Sequence, residues 1–215
     1  MVSTERPWSF GESPLPDQVE FTAVVRDLVG TVLSLECSSE QLDDLNAALR
    51  EAQRRLAEQR PRDPAPRIGK DAGRDQRVYI DHSRDVGSFN PFFPVYELRC
   101  ADDAGEGFVE FPVAYEGPPG LVHGGFLAVF FDCVLQQLNC DLGLTGKTSR
   151  LLISYRRPTP LLTRLEVHAR RKITGGRITS EARLDLGGTV LCDAQMTSAV
   201  GDRGALPVVS PRRGA

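Results

Sequence analysis

The sequence predicts an α+β fold in which an antiparallel sheet wraps round one central apolar helix, with a helical extension at the N-terminus. Three observations predict it. Short alternating segments separated by paired glycines fill the last third of the chain, as strands joined by tight turns require. A run from Gly124 to about Cys140 has helical length and almost no polar face. Two amphipathic stripes near the start precede a segment rich in proline and glycine. At 215 residues the chain is long enough for one ordinary domain and an extension. The divisions expected are a helical hairpin over 1–60, a linker over 61–75, the main domain over 76–200 and a disordered tail over 201–215.

In the extension, Phe21, Val24, Val25, Leu28, Val32 and Leu35 recur at three- and four-residue intervals, which predicts one buried helical stripe. Ser38 stands three residues before Gln41, the spacing of a capping box opening a second helix. Leu42, Leu45, Leu49, Ala52 and Leu56 form the stripe of that helix. Eight acidic residues against five arginines between Glu20 and Arg60 argue against a DNA-reading helical pair, which needs a basic face. An antiparallel hairpin packed on the main domain or on a partner subunit is expected instead.

The main domain opens with strand candidates Val95 to Cys100 and Gly107 to Val113, joined by the turn-rich ADDAGEG. The helix from Gly124 follows. Arg150 to Arg156 is a strand ended by Pro158 and Pro160. Leu165, Val167, Ala169, Arg171 and Ile173 then alternate with polar neighbours, as do Val190, Cys192, Ala194 and Met196. Gly175-Gly176 and Gly187-Gly188 predict hairpin turns, because such turns need positive φ. The order is therefore two strands, a helix and four strands.

Composition narrows the function. A net charge of -3 is too small to imply a polyanion partner, so no nucleic acid is expected. The N-terminus has no basic region followed by an apolar core, and the most apolar stretch, Leu121 to Leu138, is interrupted by His123, Asp132, Gln136 and Gln137. No membrane span is expected, and a cytoplasmic location is. Five scattered cysteines and three separated histidines suggest small buried thiols, surface histidines at positions 82 and 168, and no metal site.

The chemistry concentrates in EGPPGLVHGGFLAVFFDCVLQQLN. Phe126 to Phe131 leave no polar face, so this helix is expected to be buried all round, and Asp132 is placed inside it. A buried carboxylate without a partner costs several kcal/mol. Asp132 is either a satisfied structural acid or seam residue, or a general base or nucleophile. Gly124 and Gly125 lie in the first turn, where backbone N–H groups lack helical partners and the dipole favours negative charge. Such amides form an oxyanion hole beneath a thioester carbonyl. Asp132 follows Gly124 by eight residues, too far to serve its own Gly124 amide, so a site of this kind combines two subunits. Gln136, one turn further on, is placed to hydrogen-bond Asp132 or to face solvent or an interface. Cys133 has apolar neighbours and no cation to activate it.

The pattern EGPPG-x-VHGG-x-LA-x-x-x-D resembles the PaaI-type thioesterases of the hotdog fold, in particular their long-chain acyl-CoA branch. TSRLLISYRRPTPL resembles the strand that follows the central helix in that family. The likeness runs from about Phe89 to Val200. It implies a dimer or tetramer with shared active sites acting on acyl-CoA in fatty acid metabolism, with no cofactor. It implies that the Gly124 amide binds the thioester oxygen, that Gly125 shapes the turn, and that Asp132 acts from the facing subunit as base or nucleophile. His123 then orients the loop, and Thr148 helps to hold the attacking water. Some relatives carry an asparagine where Gly117 stands. Arg156 and Arg157 are placed either to meet CoA phosphates or to end a solvated strand. A non-catalytic acyl-CoA sensor would have no use for Asp132. An enoyl-CoA hydratase needs a histidine downstream of it on the helix, and there is none before His168.

Overall fold

The computed structural model describes residue 14 and residues 16–60, 84–143 and 146–200; the expected linker and tail, and His82, lie outside the described residues. The element order is α1 (Pro16–Leu33), α2 (Gln41–Glu58), a short α3 (Val86–Phe89), β1 (Tyr96–Ala101), β2 (Ala104–Val109), a 3-10 turn (Val113–Tyr115), α4 (Gly124–Asp141), β3 (Gly146–Tyr155), β4 (Leu165–Thr174), β5 (Arg177–Leu186) and β6 (Thr189–Val200). The strands form one antiparallel six-stranded sheet in the order β1-β2-β4-β5-β6-β3, so that β1 and β3 are its free edges.

Local chemistry explains the turns. Gly175-Gly176 and Gly187-Gly188 all have positive φ, between 55° and 77°, and close β4–β5 and β5–β6 as expected. The first hairpin turns on Asp102-Asp103, with φ of 50° and 63°, and β2 starts at Ala104, earlier than expected. Gly107 therefore lies within the strand, where a Cβ would meet the Glu97 carbonyl oxygen at 1.8 Å.

The sheet curls round α4. Phe130 and Phe131 are fully buried, and the Phe130 ring meets those of Phe93, Tyr96, Phe111 and Phe131 at centroid distances of 5.3 to 6.1 Å. Leu127, Val134, Leu135 and Leu138 complete the buried face of the helix against Val109, Leu165, Val167, Leu184 and Met196. The C-terminal end of α4 is held by Arg171, which donates to the carbonyls of Asn139 at 3.1 Å and Leu142 at 2.9 Å.

Five expectations are corrected. The helix α4 is not buried all round: Phe126 and Val129 are 40% and 52% exposed, and Asp132, Cys133 and Gln136 are half-buried along the same side. A single sheet covers one side of a helix and leaves the other open. In α1 the buried residues are Thr22 and Arg26, while Phe21 and Val24 of the apolar stripe are exposed. The Arg26 guanidinium decides which face docks, donating to the carbonyls of Gly87, Asn90 and Phe93. None of α2 is buried, and its N-cap is Glu40 with no side-chain cap, so Ser38 does not form the expected capping box. Cys37 is exposed, unlike Cys192, and His168 is half-buried in β4 among Glu106, Glu166 and Asp185.

Candidate active site

The site is built at the start of α4. The chain enters it through Glu116 to Val122, closed by Gly117 N–H to Leu121 O at 2.9 Å and Leu121 N–H to Pro118 O at 2.9 Å. His123 is the N-cap, in extended conformation, and its Nδ1 accepts from Gly125 N–H at 3.0 Å. Nδ1 is therefore the unprotonated nitrogen of this ring. His123 also donates its own N–H to Tyr115 O at 2.8 Å.

That cap decides which amide is left over. Gly125 N–H is taken by the imidazole, and Phe126 N–H by His123 O at 2.9 Å. Gly124 N–H lies in the first turn, where no helical acceptor exists, and none of the described residues accepts from it. Its carbonyl is held separately by Tyr155 OH at 2.9 Å. Burial pushes the Tyr155 phenol up, so it remains a donor at neutral pH. A Cβ at residue 124 would lie 3.1 to 3.2 Å from the Tyr155 ring and hydroxyl, and one at residue 117 would lie 2.9 Å from His123 Cα and Cβ. Close approach to the His123 backbone thus requires glycine at 117, while at 124 the end of the Tyr155 ring would have to give by a few tenths of an ångström.

Gly124 lines a cavity of about 400 Å³ together with Val122, Leu127, Tyr155, Arg156 and Arg157. Its walls are apolar towards Leu121 and Leu127 and cationic towards the two arginines. Arg156 is paired with Asp193, so its charge is partly committed to β6. Arg157 is anchored through its backbone N–H on Leu191 O at 2.9 Å.

Asp132 forms a second cluster, about 12 Å further along the same helix at 1.5 Å per residue. Thr148 Oγ1 donates to Asp132 Oδ1 at 2.9 Å. Gln136 does not touch Asp132 directly; its Nε2 donates to Thr148 Oγ1 at 2.8 Å and to Gly146 O at 3.1 Å. Thr148 reaches this cluster because of a bulge. It pairs with Ser198 while Arg150 pairs with Thr197, which leaves Ser149 as an extra residue in β3. Thr148 consequently shares the inner side of the strand with Leu151 and Ile153, despite the odd spacing. Cys133, adjacent to Asp132, is no nucleophile: burial, reinforced by the Asp132 charge, pushes its thiol up to about 11.

The expected residues therefore fall into two groups. Gly124, Arg156 and Arg157 share the cavity, with His123 and Gly125 shaping its rim; Asp132, Thr148 and Gln136 share the open side of α4. The sequence reading missed Tyr155, although its alternation within β3 points it inwards at the level of Gly124.

No known family profile matches the chain. Among solved structures, a crystal structure described as a thioesterase superfamily protein aligns with a TM-score of 0.71 at 25% identity, over 91% of this chain and 98% of that one. A putative thioesterase, a phenylacetic acid degradation-related protein from Ralstonia eutropha JMP134, aligns with a TM-score of 0.45 at 24% identity over 49% of this chain and 84% of its own. A hypothetical thioesterase protein with coenzyme A from Streptococcus pneumoniae TIGR4 gives 0.47 at 21% identity, over 49% and 85%. The first of these covers the extension as well as the sheet, and it establishes the α+β hotdog fold of thioesterase superfamily proteins for this chain. No helix among the described residues is long and apolar enough to cross a membrane, and none of their His, Cys, Asp and Glu residues group in a way that would hold a metal ion.

Proposed function

We propose that the chain hydrolyses acyl-CoA thioesters to the free acid and CoA, in active sites shared between copies of itself. The observation that carries this reading is the unclaimed Gly124 N–H beside a cavity, on the same helix whose open side presents the Asp132–Thr148 pair. A lone amide at a helix start favours a developing oxyanion, and an adjacent donor-held carboxylate favours removal of a proton from water. One chain holds these groups about 12 Å apart, too far for one carbonyl to meet both. A second copy related by a two-fold axis brings the carboxylate of one to the amide of the other. The surface for it is present: Phe126 and Val129 on the open side of α4, and the free edge of β3 with Leu152 48% exposed.

In the proposed reaction the thioester carbonyl lies on Gly124 N–H with the acyl chain on the apolar wall of the cavity. The arginines, Arg157 above all, face the phosphates of CoA. Asp132 of the other copy takes a proton from water as its oxygen attacks the carbonyl carbon. The tetrahedral oxyanion collapses, the C–S bond breaks, and the CoA thiolate leaves and is protonated. No cofactor enters this scheme. The resemblance to the long-chain branch makes long-chain acyl-CoA the first substrate to try.

The experiment is CoA release from short-, medium- and long-chain acyl-CoAs by the wild type and by Asp132→Ala. Turnover that disappears in a variant still folded and assembled supports the reading. Absence of turnover on every acyl-CoA, or equal turnover in Asp132→Ala, refutes it and leaves acyl-CoA binding without catalysis.

A further inference from the structure

We propose that Gln136 is a positioning residue that fixes the direction of the Thr148 hydroxyl and, through it, the Asp132 carboxylate; the role rests on the thioesterase reading above. The spacing of Gln136 from Asp132 suggests a direct bond along the helix, but the side chain reaches across to β3. Its Nε2 lies 3.1 Å from Gly146 O and 2.8 Å from Thr148 Oγ1. A peptide carbonyl only accepts, so the NH₂ end of the amide must face it, which settles the orientation of the side chain. Its two hydrogens then serve Gly146 O and Thr148 Oγ1.

The consequence falls on Thr148. Its oxygen receives a hydrogen from Gln136, so its own single proton must point elsewhere. Two acceptors are in reach: Asp132 Oδ1 at 2.9 Å and the Met196 sulfur at 3.3 Å. A carboxylate oxygen is a much stronger acceptor than a thioether, and the proton goes to Asp132. The chain of donors thus runs one way, from Gln136 through Thr148 to Oδ1, and each bond polarises the next. It ties down one carboxylate oxygen and leaves Oδ2 for water. The anchor is firm at its far end as well. A Cβ at Gly146 would lie 1.8 Å from Ala199 O, so this strand start is closely packed against β6.

The test uses the full-length chain and whichever acyl-CoA it turns over fastest, with Gln136→Met, Gln136→Glu, Thr148→Val and the Gln136→Met/Thr148→Val double variant. Gln136→Met is expected to lower kcat about tenfold and leave KM within about twofold, since it removes the bond that orients Thr148 and its anchor on Gly146 O but no substrate contact. Gln136→Glu, though nearly the same shape, is expected to be worse. An ionised carboxylate accepts the Thr148 proton and turns it away from Asp132. The double variant should match Thr148→Val closely, because the influence of Gln136 on Asp132 runs through the hydroxyl. A raised KM at unchanged kcat, multiplicative losses in the double variant, or a Gln136→Glu milder than Gln136→Met would each overturn the proposal.

A second measurement needs no activity. Exchange of the Thr148 hydroxyl proton, read as the deuterium isotope shift on its Cβ in mixed water, is expected to be slow in the wild type and fast in Gln136→Met. Equal exchange overturns the positioning role even if no acyl-CoA is hydrolysed. Failure of the wild type on every acyl-CoA, with slow exchange intact, refutes the thioesterase reading alone.

Discussion

Replacing Gly117 by alanine tests the architecture of the proposed oxyanion loop with a single methyl group. The new Cβ would lie 2.9 Å from both Cα and Cβ of His123, against an ordinary carbon contact of about 3.5 Å or more, so roughly 0.6 Å must be found. One of the two atoms belongs to the His123 backbone, so no rotamer change relieves the clash. Gly117 has no positive φ, and the effect is therefore steric rather than conformational. Overpacking of this kind costs ~1–3 kcal/mol, and weakening the His123 cap on Gly125 adds up to ~1 kcal/mol. For a chain of this length ~2 kcal/mol corresponds to a Tm lower by about 4–8 °C. Loss of a whole oxyanion donor costs about 10²–10³ in kcat, so displacing the Gly124 turn by half an ångström should cost about tenfold or more. Thermal unfolding and acyl-CoA turnover on the same preparation measure both. Gly30→Ala is the control, since its Cβ meets nothing within 4 Å. A Gly117→Ala chain with wild-type Tm and kcat would refute the view that close packing of His123 holds the site.

Two further outcomes concern stability. Burial, reinforced by the Asp193 charge, pushes the Cys192 thiol up to about 12 from an ordinary value of 9.0. The folded value lies above the unfolded one, so its contribution is complete below about pH 9 and is lost as pH rises towards about 12, at up to ~1.4 kcal/mol per unit. Urea titrations between those limits should show a shallower alkaline decline in Cys192→Ala, and an unchanged slope would count against the assignment. Arg26→Met removes a buried cation from three carbonyls and should loosen the docking of α1 by ~2–4 kcal/mol. Amide hydrogen exchange should then quicken in α1 while β4, β5 and β6 keep their protection; an equal loss in the sheet would contradict this.

Features set by local chemistry were legible in the sequence. Paired glycines at 175–176 and 187–188 announce turns because positive φ is a property of the residue itself. The length and start of α4 were legible for the same kind of reason: two glycines after His123 suit a helix opening, and the apolar run that follows is too long for a strand. What depended on distant partners was not. Phe21 and Val24 carry a clear helical stripe, yet Arg26 selects the docked face through carbonyls more than sixty residues away. Asp132 looked buried because the helix sequence is apolar throughout, whereas a single sheet shields only part of it. The partner of Gln136 was left open between Asp132 along the helix and solvent or an interface, since no pattern reveals that Gly146 and Thr148 come within its reach. Thr148 was reachable by family resemblance but not by alternation, because Ser149 breaks the two-residue period between Thr148 and Leu151.

That extra residue separates two properties that strands normally keep together. In a regular strand, a side chain's direction is inherited from its neighbours, so the fold and the site stand or fall as one. In β3, Leu151 and Ile153 hold the sheet to its core in one phase and Thr148 meets Asp132 in the other. Drawing Ser149 into a straightened ladder would leave the hydrophobic half of the strand seated and rotate the hydroxyl to the far side, whereas deleting Ser149 would remove the bulge and keep Thr148 facing inwards. Such a straightened strand would keep its scaffold and cavity while moving the Thr148 hydroxyl away from Asp132. The route from the proposed catalyst to a passive receptor on this framework is therefore one shift of register long, and involves no change at Asp132, Gly124 or His123.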